Sequence, residues 1–179
     1  MSNRFFVLTG GPGAGKTTVL EALAAEGCAT VPEAGRAVTR QQTAIGGPAL
    51  PSRDPAVFAE HMLAWDMRSH EAASAGGERT VFDRGVPDTI GYLRLCGLAA
   101  PPHVERAAER YRYNRRVFVF PPWEKIFRPD EERLQDFAEA ERTFVAVRDA
   151  YRDVDYHCLE VPMLSAEERA RFILRAMAG

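Results

Sequence analysis

The glycine-rich stretch GGPGAGKT, residues 10–17, contains residue types that bind phosphate, and it fits the phosphate-loop pattern G-x-x-x-x-G-K-S/T. Glycines let the backbone bend until consecutive N–H groups point at phosphate oxygens, and a helix that starts near Lys16 adds its positive end. The Lys16 ammonium is placed to contact the β- and γ-phosphates, and the Thr17 hydroxyl to ligate Mg²⁺. The sequence therefore predicts ATP and Mg²⁺ as ligands. The predicted binding residues are Gly10, Gly11, Pro12, Gly13, Ala14, Gly15, Lys16, Thr17 and Thr18.

An acidic residue followed by an arginine ends the later run RTVFD, as Asp83 and Arg84. A motor ATPase usually has Asp-Glu here, and a switch GTPase needs a lysine in its guanine-binding motif N/T-K-x-D, whereas the chain has lysines only at positions 16 and 125. Transfer to a hydroxyl fits better, because Asp83 could accept the acceptor's proton or hold Mg²⁺ through water while Arg84 orients a polar or anionic acceptor. A structural ion pair at the strand end is the alternative.

Glu33 and Arg36, in the stretch EAGR, directly follow the second predicted strand. Because they are three residues apart, the sequence places them on one face of a helix that opens toward the same end of the sheet. A carboxylate there could bind sugar hydroxyls, and a guanidinium could bind phosphate or carboxylate. A surface ion pair explains the same spacing equally well, so both interpretations stay open.

Arginines also follow the fourth predicted strand, in FRPDEER, residues 127–133. Small phosphotransferases carry a lid at this position, here expected at about residues 123–135. Arg128 and Arg133 are catalytic candidates, because either could swing over the triphosphate, stabilise charge during transfer and expel water. The neighbouring acidic residues also fit an ordinary first helical turn in which Arg133 pairs with a neighbour.

The elements that must position these candidates alternate between short apolar runs and helical patterns. This alternation is typical of a parallel sheet with helices on both faces, in which ligands bind beyond the carboxyl ends of the strands. The predicted strands are 4–9, 28–32, 79–83, 117–122 and 156–161. The predicted helices are 16–26, 33–43, 55–75, 86–97, 102–113, 130–151 and 165–177.

Two helix starts carry recognisable capping residues. Asp54 precedes Pro55, which suits the first position of a helix. Ser165 and Glu168 have the spacing of a capping box, in which each side chain accepts a hydrogen bond from the other residue's backbone N–H.

Length and composition favour one compact domain, residues 1–179, because 46% hydrophobic content gives a chain of this size a substantial core. A formal net charge of −2 gives no indication of a nucleic acid as partner. Three scattered cysteines argue against a disulfide framework or a zinc site. The N-terminal apolar run leads straight into glycines, and no stretch approaches the ~20 apolar residues of a membrane-spanning helix. We therefore expect a cytoplasmic protein with no membrane partner.

The stretches GGPGAGKTT, EAGR, VFDRGVPD and VFVFPPWEKIFRPDEER together resemble the small AAA-type ATP-binding family that includes the ribosylnicotinamide kinase domain of bifunctional NAD-biosynthesis regulators. The resemblance spans nearly the whole chain and implies a kinase-like P-loop fold, with five parallel strands in the order 2-3-1-4-5. It implies ATP with Mg²⁺ as ligands. The chain lacks the DNA-binding and adenylyltransferase regions of those regulators, so we expect no repressor role.

The same resemblance assigns roles to individual residues. Glu33, Arg36, Asp83 and Arg84 would line the acceptor side, and Arg128 would belong to the lid. The acceptor pocket is expected from residues 45–70 and 86–97.

The sequence thus favours a kinase that moves the γ-phosphoryl group of Mg-ATP to a hydroxyl of a small, nucleoside-like metabolite. The alternative is an ATP-binding regulatory module, in which nucleotide occupancy changes the affinity for a protein partner. The predicted lid favours the kinase, because a nucleotide sensor needs no lid.

Overall fold

A computed structural model of the chain describes residues 2–127 and 136–178. The strands in these ranges are β1 (Phe5–Gly10), β2 (Ala29–Val31), β3 (Thr80–Asp83), β4 (Arg116–Phe120) and β5 (His157–Glu160). The helices are α1 (Lys16–Ala25), α2 (Ala34–Ile45), α3 (Pro55–Ala75), α4 (Val86–Leu95), α5 (Pro102–Arg110), α6 (Phe137–Asp153) and α7 (Ala166–Ala178). All neighbouring strands are parallel, in the order β2-β3-β1-β4-β5, which confirms the predicted fold class and strand order.

The central strand β1 is buried on both faces, which explains its apolar run without alternation. Successive side chains of a strand point to opposite faces. Phe6 and Leu8 therefore pack with side chains of α1 and α7, whereas Phe5 and Val7 pack with side chains of α3, α4, α5 and α6. All four are at most 2% exposed, so the sheet is the middle layer of an α/β/α sandwich.

The capping predictions are confirmed. The Asp54 carboxylate accepts a hydrogen bond from the Val57 N–H at 3.0 Å, and Pro55 opens α3. The Ser165 N–H donates to Glu168 Oε2 at 3.0 Å, and the Glu168 N–H donates to Ser165 Oγ at 3.3 Å, which completes the capping box.

Most helix boundaries differ from the prediction by one to three residues, and two differences have a structural reason in the side chains. The described part of α6 begins at Phe137, because the Asp136 carboxylate caps it by accepting the Glu139 N–H at 2.7 Å; the predicted start near residue 130 lies outside the described residues. Helix α5 ends at Arg110 instead of residue 113. The reason is Tyr113, which is fully buried in the core instead of continuing the helix.

Within residues 2–127 and 136–178, no helix combines the length and the apolar character that a membrane crossing requires.

Replacing Asp54 with alanine should destabilise the protein, because the first turn of α3 loses the acceptor for the Val57 N–H. The expected loss in unfolding free energy is about 1 kcal/mol, measured by urea denaturation. Glu21→Ala is the matched control, since it removes an exposed carboxylate from the middle of α1, and it should change stability by less than about 0.5 kcal/mol. Equal losses in both variants would contradict the capping role.

Candidate functional site

The parallel register gathers the predicted site residues at the carboxyl edge of the sheet. Leu8 of β1 is the register partner of Asp83 in β3, and the Arg84 N–H donates to the Leu8 carbonyl at 2.9 Å. Val31 of β2 is the register partner of Phe82 in β3. Pro32 and Glu33, which follow Val31, are therefore brought to the same edge of the sheet. Side chains from three separate stretches therefore lie beside the loop that follows β1.

The loop at residues 10–17 depends on glycine at several positions, and Gly13 and Gly15 show why. Gly13 and Gly15 have φ angles of +67° and +78°, in the left-handed region that side chains rarely adopt. A Cβ atom at Gly13 would lie 2.6 Å from the Phe127 ring, and one at Gly15 would lie 2.8 Å from the Arg169 guanidinium. Neither position has room for a side chain. The tight turn leads directly into α1, and the first N–H groups of that helix face the loop.

The Lys16 ammonium lies within the loop. It donates to the Gly11 carbonyl at 2.7 Å and to the Gly10 carbonyl at 3.2 Å, and the side chain is only 7% exposed. Burial, and then the nearby Arg84 guanidinium, lower the pKa of Lys16 to about 8, although the Asp83 carboxylate opposes this shift. Lys16 therefore stays mostly charged at neutral pH, as a compact cation held by the loop backbone.

Asp83 interacts electrostatically with this cation and is 6% exposed. Burial raises the pKa of Asp83 to about 6, and the Lys16 ammonium opposes the rise. Within the described part of the chain, its Oδ1 atom has no hydrogen-bond partner. An orphaned carboxylate oxygen has capacity for a further ligand, either a proton donor or a cation.

The oxygen ligands available fit Mg²⁺. Asp83 supplies a carboxylate and Thr17, exposed at the start of α1, supplies a hydroxyl; hard oxygen donors of this kind suit Mg²⁺. The described residues contain no group of three or more His, Cys, Asp or Glu side chains that could hold a metal. Mg²⁺ in nucleotide-binding sites commonly takes one or two protein ligands and completes its shell with phosphates and water.

Arg84 occupies the centre of the site. Its Nε atom lies 3.3 Å from Glu33 Oε1, and its Nη1 atom lies 3.0 Å from Asp88 Oδ1. Burial alone would lower the pKa of Arg84, but the carboxylates of Glu33 and Asp88 outweigh it and raise that pKa above its usual value. The residue has a φ of +73°, a left-handed conformation that costs a side-chain-bearing residue roughly 1–2 kcal/mol. The two ion pairs hold it there.

Glu33 links two arginines. Its Oε2 atom lies 3.4 Å from Arg36 Nε, and its Oε1 atom faces Arg84. The prediction that Glu33 lies within the helix is wrong, because it precedes α2 as its capping residue with an extended ψ of 124°. The Arg36 side chain is 46% exposed, whereas that of Glu33 is 9% exposed, so the pair reaches from the solvent into the site.

Asp88, in the first turn of α4, is a site residue that the sequence analysis missed. It accepts hydrogen bonds from Thr9 Oγ1 at 2.5 Å, Tyr151 Oη at 2.7 Å and the Gly85 N–H at 3.0 Å, besides pairing with Arg84. It thereby joins β1, the turn after β3, and α6. Its position three residues after Gly85 was the available signal, since an acidic side chain in the first turn of a helix can accept a hydrogen bond from the backbone N–H that precedes the helix.

Asp66, on α3, is a second carboxyl that the sequence analysis missed. It is 8% exposed. Burial raises the pKa of Asp66 well above its ordinary value, and the Asp88 carboxylate adds to the rise while Arg84 opposes it. Its neighbours in sequence do not mark it as a site residue, because its surroundings are set by the packing of α3 against distant elements.

Arg169, on α7, supports the phosphate loop from outside. Its Nη1 atom donates to the Ala14 carbonyl at 2.9 Å, and its guanidinium lies 5.5 Å from the centre of the Trp123 ring. Because Arg169 and Ala14 are 155 residues apart, the sequence near either residue does not indicate this contact.

The remaining predicted residues are placed as follows. Pro12 is half-buried in the loop, and Thr18 is exposed in the first turn of α1. Arg128 and Arg133 lie outside the described residues, so their lid role stays a prediction. The described segment that leads to them ends with the Phe127 ring against Gly13.

A glycine loop that joins a central parallel strand to a helix, beside an acidic strand end in a 2-3-1-4-5 sheet, defines the P-loop NTPase fold. Within this fold, the chain belongs to the AAA domain family, whose model matches residues 5–169. The family match confirms the AAA-type part of the resemblance, while the ribosylnicotinamide kinase subgroup stays a prediction.

Solved structures share the fold. A deoxyadenosine kinase from M. mycoides, with products dCMP and a flexible dCDP bound, matches with a TM-score of 0.65 and 13% identity over 97% of this chain and 98% of that chain. A thymidylate kinase from Ehrlichia chaffeensis matches with a TM-score of 0.62 and 14% identity over 100% of both chains. No curated protein sequence matches the chain.

Removing the Asp88 carboxylate should destabilise the protein strongly, because Arg84 would lose one of two buried partners and three further donors would lose their acceptor. Asp88→Ala should cost about 3 kcal/mol of unfolding free energy in urea denaturation. Asp153→Ala breaks the exposed pair between Asp153 of α6 and Arg94 of α4, and should cost less than about 1 kcal/mol. Similar losses of unfolding free energy in both variants would show that the buried Asp88 contacts contribute no more stability than an exposed ion pair. If the alanine variant does not fold, Asp88→Asn provides a milder substitution.

The buried Asp66 carboxyl predicts a dependence of stability on pH. Because its pKa is raised in the folded state, the unfolded chain releases this proton at lower pH, and stability falls as pH rises from about 4 toward the folded pKa. Asp66→Asn is neutral at every pH, so its unfolding free energy relative to the wild type should increase from pH 4 to pH 8. Urea denaturation at several pH values measures this. Asp153→Asn, at an exposed position, is the control, and a pH-independent difference for Asp66→Asn would contradict the prediction.

Proposed function

We propose that the protein is a kinase that transfers the γ-phosphoryl group of Mg-ATP to a hydroxyl of a small, nucleoside-like acceptor. The observation that carries this proposal is one continuous cluster, in which Lys16 and Asp83 lie on the loop side and Arg84 and Glu33 lie beyond them. The names of the two structural neighbours, a deoxyadenosine kinase and a thymidylate kinase, support it.

The loop side would bind the donor. The first N–H groups of α1 and the loop amides would face the phosphates, and the Lys16 ammonium would neutralise charge on them. Thr17 and Asp83 would hold Mg²⁺, directly or through water. When bound, the metal neutralises charge on the phosphate oxygens.

The opposite side would bind the acceptor. Glu33 is anchored between Arg36 and Arg84, so its carboxylate is fixed and suited to accept a hydrogen bond from a sugar hydroxyl. Arg84, held by Glu33 and Asp88, would orient that hydroxyl rigidly.

Asp83 is the stronger candidate to accept the proton from the attacking hydroxyl. Its pKa of about 6 is close to neutral, where a general base works best. Glu33 already forms ion pairs with two guanidinium groups, so its carboxylate is engaged by Arg36 and Arg84. The metal role and the base role of Asp83 predict different responses to Mg²⁺, which makes them separable.

Water must be kept from the phosphoryl group if transfer is to exceed hydrolysis. The segment that precedes the predicted lid already packs on the loop, since the Phe127 ring contacts Gly13 and Trp123 lies against Arg169. We propose that Arg128 and Arg133 belong to a lid that closes over the triphosphate, on the basis of their sequence position.

Two substitutions separate chemistry from folding. Lys16→Ala should abolish transfer yet leave the thermal unfolding temperature nearly unchanged, because the glycines set the loop's backbone geometry.

Asp83→Asn should retain ATP binding by calorimetry and lower kcat by on the order of 10² to 10⁴ if the carboxylate is the general base. The assay is product formation from Mg-ATP with a panel of nucleosides and other hydroxyl-bearing metabolites, including ribosylnicotinamide.

The controls distinguish the roles of the two carboxylates. If Asp83 holds Mg²⁺, the activity of Asp83→Asn should recover partly at raised Mg²⁺ concentration, whereas a lost general base cannot be replaced in this way. Glu33→Gln should mainly raise KM for the acceptor. A kcat loss in Glu33→Gln as large as that in Asp83→Asn would transfer the base role to Glu33, and ADP release that no acceptor accelerates would refute the kinase proposal itself.

A further inference from the structure

Arg169 of α7 is buried directly behind the phosphate loop. The residue is 6% exposed, and its Nη1 atom donates to the Ala14 carbonyl at 2.9 Å. A Cβ atom added to Gly15 would lie 2.8 Å from Nη2 and 3.1 Å from Nη1, so the guanidinium packs on that glycine as well. The guanidinium therefore covers the outer side of the peptide that joins Ala14 to Gly15.

Aromatic rings hold the rest of this guanidinium. Its central carbon lies 5.7 Å from the centre of the Phe120 ring and 5.5 Å from that of the Trp123 ring. Phe120 ends β4 and is the register partner of Gly10, where the loop begins. The arginine thus lies between the end of β4 and the loop. A ring face attracts a cation without cancelling its charge.

The charge of Arg169 is not balanced within the described residues. Burial lowers the pKa of Arg169, and no carboxylate of the described ranges opposes that shift. Its Nε atom is buried and, among the same residues, has no hydrogen-bond partner. Arg84 shows the opposite arrangement, because burial is outweighed there by the carboxylates that contact it and raise its pKa. A buried cation without an anion is costly, and an anion that binds nearby recovers part of that cost.

The Ala14–Gly15 peptide connects this cation with the inside of the loop. A trans peptide is planar, so the Gly15 N–H points away from the Ala14 carbonyl that Arg169 holds. Gly15 directly precedes α1, and N–H groups at the start of a helix are suited to bind phosphate. A cation bound to the carbonyl polarises the peptide and makes its N–H a stronger donor.

We propose that Arg169 is a positioning residue for the nucleotide phosphates: it fixes the Ala14–Gly15 peptide with the N–H toward them, and it supplies a positive charge that they balance. The proposal rests on the donor site of the function proposed above. It adds a residue of the last helix that acts through the loop backbone, and it holds for any acceptor of the phosphoryl group.

Calorimetry with Mg-ADP and a non-hydrolysable ATP analogue tests this role without a transfer step. Arg169→Met removes the charge and the donor, so Kd for both nucleotides should rise about 10- to 100-fold, as expected for the loss of one charge-assisted hydrogen bond. Arg169→Lys keeps a charge and a donor and should stay within about 5-fold of the wild type. Arg175→Met removes an exposed arginine from the same helix and should leave both Kd values unchanged.

Arg169→Gln separates the charge from the hydrogen bond. It keeps a neutral N–H donor for the Ala14 carbonyl, so its Kd values should resemble those of Arg169→Met if the charge acts on the phosphates. Wild-type affinity in Arg169→Gln would overturn the role of the charge. Equal weakening in Arg169→Met and Arg169→Lys would overturn it as well.

A purely structural Arg169 would give another pattern. Arg169→Met would then lower the unfolding temperature of the nucleotide-free protein, while both Kd values, measured where the variant is folded, stayed within about 3-fold of the wild type. That result would overturn the assignment. The Gly15 amide resonance gives a further readout, since its shift on addition of Mg-ADP should be smaller in Arg169→Met than in the wild type. An equal shift would show that Arg169 does not position this peptide.

Failure of this inference and failure of the kinase proposal are distinguishable. A wild-type protein that binds Mg-ADP but transfers phosphate to no acceptor would refute the kinase proposal, and the binding comparisons would still decide the role of Arg169. A wild-type protein that binds neither nucleotide would refute the donor site, and this inference with it.

Discussion

The arrangement of the site depends on the paired charge of the Arg84 guanidinium. A buried arginine is tolerated only when carboxylates and hydrogen bonds replace the water it has lost. Glu33 and Asp88 meet this need, and each is tied to another part of the fold: Glu33 immediately precedes α2, while Asp88 binds the end of β1 through Thr9 and α6 through Tyr151. Satisfying one cation thus sets the relative positions of β1, β3, α2, α4 and α6.

On the loop side, the charges of Lys16 and Asp83 each reduce the pKa shift that burial causes in the other group, and this arrangement suits phosphoryl transfer. Burial lowers the pKa of Lys16 and raises that of Asp83, and each group's charge partly reverses the shift of the other. Both groups therefore remain mostly ionised near neutral pH, yet each lies within reach of a change of protonation state. Groups with shifts of this kind cluster at functional sites, because the same low dielectric that perturbs them strengthens their action on a substrate.

Patterns that are local in sequence predicted the fold and the loop side of the site well. The glycine spacing before Lys16, the apolar run of β1 and the capping residue Asp54 each act within a few residues, so their structural meaning can be read directly. Asp66 and Arg169 could not be found in this way. Their roles arise from contacts between distant elements, and in sequence they look like ordinary polar residues of amphipathic helices.

The bond between Arg169 and the Ala14 carbonyl has a consequence for biosynthesis. The loop leaves the ribosome well before α7, although its support comes from that helix, 155 residues later in the chain. The strands on either side of β1 also follow the loop in the chain. Contacts of such long range form late in folding, because the intervening chain must first be ordered. The nascent polypeptide should therefore gain a rigid nucleotide cradle only after α7 has emerged, which delays ligand-assisted stabilisation until synthesis has passed this helix.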